Sequence, residues 1–285
     1  MCRLFGLTAG TARVHATFWL LDAPDSLEAQ SHRNVDGSGI GFFDPFGAAV
    51  LDKQPEPAFE DEEFSHEARE AESATFVAHV RLASTGGRTV QNTHPFAMQG
   101  HVMAHNGGFG ELERLEAQLG SYAGLVLGDT DSERYFALIT QQADAHGGDM
   151  ATGITAAARW IAERLPVSSL NVIVTAPDEL WALRYPDQHA LHILERPAGP
   201  GQDAAGQPGL HVRSATSSVH APALHSAPSV VVASEELDGE TGWRMLAPGE
   251  LVHVQADLTV RSEVVLPEPP ARLVPVGRDN PNVDT

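Results

Sequence analysis

Short apolar runs broken by glycine, proline and acidic residues dominate the chain, with two longer stretches of helical period in its middle. Residues 2–9 read as an apolar strand. Gly37-Ser38-Gly39-Ile40-Gly41-Phe42-Phe43 reads as a glycine-rich loop entering a strand. Ala48-Ala49-Val50-Leu51 returns after the turn Asp44-Pro45-Phe46-Gly47, which predicts a hairpin. Residues 75–81 read as a buried strand, and residues 100–105 as another that ends at Asn106-Gly107-Gly108. Thr130-Asp131-Ser132-Glu133 has the spacing of a capping box and predicts a helix over 131–145, with Tyr135, Phe136, Ile139 and Ala143 on its buried face. Residues 149–165 form a second helix candidate, with Ile154, Ala158, Ile161 and Leu165 at helical spacing. Short strand-like runs follow at 170–175, 180–185, 190–194, 229–233, 250–254 and 258–261. No internal repeat interrupts this order. Strands, then two helices, then strands again predict an α+β fold of two antiparallel sheets packed together with helices outside, in one domain over 2–266. The Pro-, Gly-, Ala-, Ser- and His-rich stretch 197–228 reads as a surface loop inserted in that domain, and 267–285 as a Pro-rich tail.

Composition narrows the function. A chain of 285 residues, 42% hydrophobic, can bury a full core without a disulfide or metal staple. No apolar run reaches the length of a membrane-spanning helix. Eighteen Lys and Arg stand against 38 Asp and Glu, a net charge of -20. That field repels phosphate backbones and anionic lipid, so neither nucleic acid nor membrane is an expected partner. Residues 56–72 carry eight acids and predict an exposed helix with a solvated face rather than an acidic docking site. The histidines show neither His-x-x-x-His nor His-Glu-x-x-His spacing, and a single cysteine builds no thiolate metal site, so no metal or other cofactor is expected. The opening residues 1–7 lack the basic-then-apolar pattern of a secretory signal, which makes the cytoplasm the expected location.

The one cysteine is residue 2. Removal of Met1 would leave Cys2 as the N-terminus, with an α-amine of unperturbed pKa ~7.7–8.0 beside its thiol. One residue then carries both nucleophile and base, the logic of N-terminal nucleophile activation. The alternative is a small apolar residue at the start of a strand. An oxyanion hole and a substrate anchor would distinguish the two. Asn106 and Gly107 can supply the first, as a side-chain amide and an adjacent backbone N–H, although Asn-Gly equally makes an ordinary turn. Arg81 ends an apolar strand, where a guanidinium can fork onto a carboxylate or serve a structural ion pair. Asp131 suits a helix N-terminus as a cap, and suits a substrate ammonium equally well. Together Arg81 and Asp131 describe a receptor for an α-amino acid head group. His94, within Thr93-His94-Pro95-Phe96, is placed near the mouth of such a site, with a structural role preferred.

Five segments in order, Met1-Cys2-Arg3-Leu4-Phe5-Gly6, Arg33-Asn34-Val35-Asp36-Gly37, His79-Val80-Arg81-Leu82-Ala83-Ser84, His105-Asn106-Gly107 and Thr130-Asp131-Ser132-Glu133, resemble the class II glutamine amidotransferase domain over residues 2–190. Val230 to Asp238, with Trp243 and Leu246 to Leu251, resembles the last strands of standalone members. The resemblance implies a four-layer αββα N-terminal nucleophile hydrolase sandwich. It implies that Cys2 attacks the γ-amide of glutamine or of another γ-glutamyl small molecule, passing through a γ-glutamyl thioester. Asn106 and Gly107 stabilise the oxyanion, Arg81 holds the α-carboxylate and Asp131 the α-ammonium; Ser84 and Thr85 align with residues lining the glutamine pocket. Arg33 and Asp36 are expected to partner each other as structural support. Ser38 stands where many standalone members carry Trp, and Leu4 where members acting on an ergothioneine precursor usually show His. No phosphate-binding loop follows the amidotransferase core, so either a separate ammonia-consuming synthase takes the product or the enzyme hydrolyses a γ-glutamyl bond outright. The alternatives are a cysteine N-terminal nucleophile hydrolase of some other acyl amide, and a catalytically inactive binding subunit.

Overall fold

A computed structural model describes residues 2–83, 86–198, 212–213, 218–219 and 227–275. Its two large sheets arise from apolar runs with a two-residue alternation. The first contains β1 (Arg3–Thr8), β2 (Gly37–Phe43), β3 (Ala49–Gln54), β4 (Thr75–Arg81), β9 (His192–Arg196), β12 (Ser229–Ala233) and β13 (Arg244–Met245), in the order β13-β9-β12-β1-β4-β2-β3. The second contains β5 (Phe96–Met98), β6 (His101–Phe109), β7 (Pro166–Thr175), β8 (Leu180–Leu183), β14 (Glu250–Val254) and β15 (Val260–Val264), in the order β15-β14-β8-β7-β6-β5. Neighbours along both orders are antiparallel. A short strand β16 (Arg272–Leu273), within the stretch read as a tail, runs parallel to β7 at Pro166 and Val167. Val212–Arg213 (β10) and Ser218–Val219 (β11) pair with each other inside the predicted insert, most of which lies outside the described residues.

Alternation assigns each strand residue to a layer. In β12, Val230 and Val232 join Leu4, Val77, Ala104, Ile173 and Val252 between the two sheets. Val231 and Ala233 point the other way, toward Phe18, Trp19, Leu27 and Phe64. These belong to a π-helical turn at Phe18–Asp22, to α1 (Leu27–Ser31) and to α2 (Glu62–Glu70), which cover the first sheet. On the second sheet Val172 and Val174 face α4 (Asp131–Ala145) and α5 (Met150–Arg164) through Phe136, Ile139, Ile154 and Ile161. The result is the four-layer αββα sandwich. Its central strands are apolar on both faces because both faces are covered.

Several expectations shift in detail. The helix expected over 56–72 shrinks to α2, because the Asp61 carboxylate accepts from the Glu63 and Phe64 N–H groups and starts the helix there. The strand expected to stop before Asn106-Gly107-Gly108 runs through them to Phe109, since β7 pairs with it along its length. Only half of the predicted capping box forms. Thr130 Oγ1 accepts from Glu133 N–H at 3.2 Å, while the Glu133 carboxylate turns to Gly128 N–H at 2.6 Å. The helix α3 (Leu112–Leu119) and strand β5 are additions the apolar pattern did not announce.

Candidate active site

Cys2 precedes β1, whose register on β4 places Arg3 opposite Val80 and Leu4 opposite His79. The thiol therefore lies beside the end of β4, where the Leu82 N–H donates to Sγ at 3.3 Å. Cys2, Arg81, Leu82 and Ala83 line a pocket together with His94, His105, Gly107, Thr130, Asp131 and Ser132. Residues 2, 81, 107 and 131 come from four segments of the chain: the β1–β4 register sets Cys2 beside Arg81, packing of the two sheets brings Gly107 to them, and the Phe109 N–H holds Asp131 at the start of α4.

Cys2 is buried, and burial pushes its thiol above the ordinary value; the Leu82 N–H and the charges of Arg81 and Arg3 oppose that rise. Arg81, also buried, donates to Gly87 O at 3.2 Å and to Gly86 O at 3.4 Å. Burial draws its guanidinium down, opposed by Cys2, Asp36 and Asp131. Asp131 opens α4. Its Oδ2 accepts from Phe109 N–H at 3.3 Å and its Oδ1 from Ser132 N–H at 2.9 Å, which fixes the carboxylate against the end of β6. An anion in the first turn of a helix is favourable against the dipole.

Gly107 cannot carry a side chain: a Cβ there would lie 2.0 Å from Ser169 O on β7. Asn106 shares the face of β6 that carries Val102 and Ala104, toward the layer between the sheets. By the same alternation Cys2 shares the face of Leu4, so both point into that layer at its end. Asn106 is buried, and its Oδ1 has no hydrogen-bond partner among the described residues. Ser84 and Thr85 lie outside the described residues.

The expected Arg33–Asp36 pairing is not what the structure holds. Asp36 Oδ2 accepts from Ala83 N–H at 2.7 Å, and its Oδ1 pairs with Arg88, while Arg33 lies 3.5 Å from Asp25. Asp36 thus braces the backbone that follows Arg81, a role carried by a backbone N–H that no residue type announces. Ser38 does not line the pocket; its hydroxyl donates to Glu56 O and to the Asp61 carboxylate, 2.9 and 3.1 Å away. Leu4 packs between the sheets, so residue 4 answers to core packing.

Two of the pocket-lining residues, His94 and His105, belong with His79 to a group of buried imidazoles. His94 and His79 lie 4.2 Å apart between ring centroids, and the His94 ring has no hydrogen-bond partner among the described residues. His105 Nδ1 meets Ser132 Oγ at 2.9 Å and its Nε2 meets Ser169 O at 3.3 Å. A carbonyl only accepts, so Nε2 carries the proton and Nδ1 accepts from the serine hydroxyl. Burial depresses all three, His79 to about 3, so they are neutral. Among the described residues no group of three or more His, Cys, Asp or Glu stands close enough to hold a metal ion, and no helix is long and apolar enough to cross a membrane.

Residues 1–270 match the family described as glutamine amidotransferases class-II. The chain is 29% identical over 265 residues to the gamma-glutamyl-hercynylcysteine sulfoxide hydrolase of Mycobacterium tuberculosis, covering 89% of this chain and 93% of that protein. It is 28% identical over 134 residues to DUG3 of Saccharomyces cerevisiae, covering 43% of this chain and only 37% of that protein. In three dimensions it resembles the allosteric regulatory enzyme of purine biosynthesis, with a TM-score of 0.65 at 19% identity, over 94% of this chain and 50% of that one. The chain belongs to the class-II glutamine amidotransferases.

Proposed function

We propose that this class-II glutamine amidotransferase cleaves a γ-glutamyl amide, glutamine or a larger γ-glutamyl compound, with Cys2 as nucleophile. The observation that carries the reading is the convergence of a thiol, a buried guanidinium and a helix-start carboxylate on one pocket, at Cys2, Arg81 and Asp131. A forked cation and an anion lining one pocket match the carboxylate and ammonium of an α-amino acid. That pair favours a γ-glutamyl head over another acyl amide. The name of the mycobacterial relative adds weight to a γ-glutamyl bond as the target.

In this reading Met1 is removed, and the α-amine of Cys2 takes the thiol proton. Sγ attacks the γ-carbonyl carbon. Gly107 N–H and the Asn106 side-chain amide receive the developing oxyanion. The C–N bond breaks, and the ammonium formed on Cys2 returns its proton to the leaving ammonia or amine. Water then attacks the γ-glutamyl thioester, releasing glutamate and the thiol. Ser84 and Thr85, which align with residues lining the family's glutamine pocket, are proposed as further contacts to the amino-acid head. Ammonia, where it is the product, goes to a separate synthase. The reaction belongs in the cytoplasm, where a free thiol stays reduced.

Intact mass after incubation with a diazo-ketone analogue of glutamine tests the reading, with Cys2→Ala alongside. The expected result is loss of Met1 and one adduct, absent in the variant and suppressed by excess glutamine. Retention of Met1 with no adduct would overturn it in favour of a binding subunit.

A further inference from the structure

The structure assigns to Asn92 a positioning role that joins the two halves of the amino-acid clamp, an inference that rests on the γ-glutamyl reading above. Asn92 is buried at 1% exposure and does not itself line the pocket. Its Nδ2 donates at 3.1 Å to Gly87 O, the same carbonyl that accepts from Arg81 Nη1 at 3.2 Å. Its Oδ1 accepts from Asp129 N–H at 2.8 Å, two residues before Asp131. Nδ2 also lies 3.5 Å from Asp129 Oδ2.

One planar amide thus bridges the segment that holds the guanidinium and the segment that presents the carboxylate. The second segment is tied from its other side as well, by Gly128 N–H on the Glu133 carboxylate at 2.6 Å. The bridge is tight: a Cβ at Gly128 would lie 2.5 Å from Asn92 Oδ1. Only a side chain with a donor and an acceptor on one plane serves both partners, because Gly87 offers a carbonyl and Asp129 an N–H. Asparagine does so; aspartate lacks the donor and alanine lacks both. The bridge holds the distance between Arg81 and Asp131 before substrate arrives, so that neither must reorganise on binding.

The test compares two reagents that alkylate Cys2. The diazo-ketone analogue of glutamine carries the α-amino-acid head; iodoacetamide does not. For Asn92→Ala and Asn92→Asp, inactivation efficiency with the analogue is expected to fall at least about tenfold, mainly through weaker binding, while the iodoacetamide rate stays within about twofold of wild type. Gly128→Ala presses on the same amide oxygen from the opposite side and is expected to reproduce this split, even where Asn92→Ala fails to fold. Equal loss with both reagents would overturn the inference, since a scaffold defect disturbs the thiol as much as the clamp. No loss with either reagent would overturn it too. Wild-type protein that reacts with iodoacetamide but never with the analogue would instead sink the γ-glutamyl reading itself, and the inference with it.

Discussion

The Leu82 N–H donates to Cys2 Sγ at 3.3 Å, one residue beyond the arginine that faces the same pocket. This contact lowers the thiol's proton affinity, yet burial outweighs it and leaves the group above its ordinary value. A thiol that stays protonated at neutral pH needs a base, and the α-amine exposed by loss of Met1 is the one proposed.

That assignment predicts the pH dependence. The base must be unprotonated, so activity disappears as pH falls through its pKa. With an amine near ~7.7–8.0, kcat/KM is expected to drop about tenfold per pH unit below neutrality and to level off in mildly alkaline buffer. A profile of kcat/KM with glutamine or a γ-glutamyl amide that stays flat across this range would exclude the amine.

The clamp predicts a second pattern. Arg81→Lys keeps the charge but loses the planar fork, and Asp131→Asn loses the anion while keeping an acceptor. One loses a hydrogen bond to a charged group and the other the charge behind it, up to about 1.5–3 kcal/mol, or roughly 10- to 150-fold in kcat/KM. Contacts to the unreacting head are made equally in ground and transition states, so the loss should appear chiefly in KM. Steady-state kinetics resolve this; a loss confined to kcat would speak against the head-group role.

Gly107→Ala is expected to fail in both stability and turnover. Its methyl group would meet Ser169 O at 2.0 Å, a backbone atom in a paired strand that cannot step aside alone. Overpacking of this kind costs about 1–3 kcal/mol, and any relief moves the proposed oxyanion donor. Thermal unfolding and turnover measured together check the point; a variant matching wild type in both would show the β6–β7 pair to be freely deformable.

The buried imidazoles predict acid sensitivity. His79 binds its proton near pH 3 in the folded protein and near 6.5 when unfolded. Between those values the unfolded chain binds more protons, so stability rises with pH. The full contribution is present above about 6.5 and is progressively lost on acidification, by about 1.4 kcal/mol per pH unit for each such group. His94 and His105 act in the same direction. His79→Phe keeps an aromatic ring against His94 and removes one titrating group. Its melting temperature should fall less steeply than wild type between pH 7 and about pH 5. Identical slopes in denaturation experiments would contradict the assignment.

The elements were legible where one local rule governed them. Thr75–Arg81 and Asp131–Ala145 fall where apolar alternation and a cap place them. Tyr135, Phe136, Ile139 and Ala143 are buried as their spacing demands. The Asn106-Gly107 pair misled, because the same dipeptide that makes turns also serves a strand whose neighbour passes too close for any side chain. Asp36 pairs with a distant arginine rather than the one beside it in sequence. Arg33 is near in sequence, but Arg88 and the Ala83 N–H reach it through the β2–β4 register.

By itself the sequence determined the main strands and the two long helices in their order (though not α3 or β5), the start of α4, and a cysteine at position 2 flanked by an apolar strand. Those features depend on residues within a few positions of one another, where periodicity and side-chain capping act. Only the tertiary structure decided that Cys2, Arg81, Gly107 and Asp131 share one pocket, that Leu82 offers its N–H to the thiol, and that Asn92 links two loops 37 residues apart. The physical reason is that sheet register, sheet-on-sheet packing and side-chain bridges between loops bring distant segments together. The backbone donors and acceptors that then matter belong to every residue alike and leave no mark in the sequence.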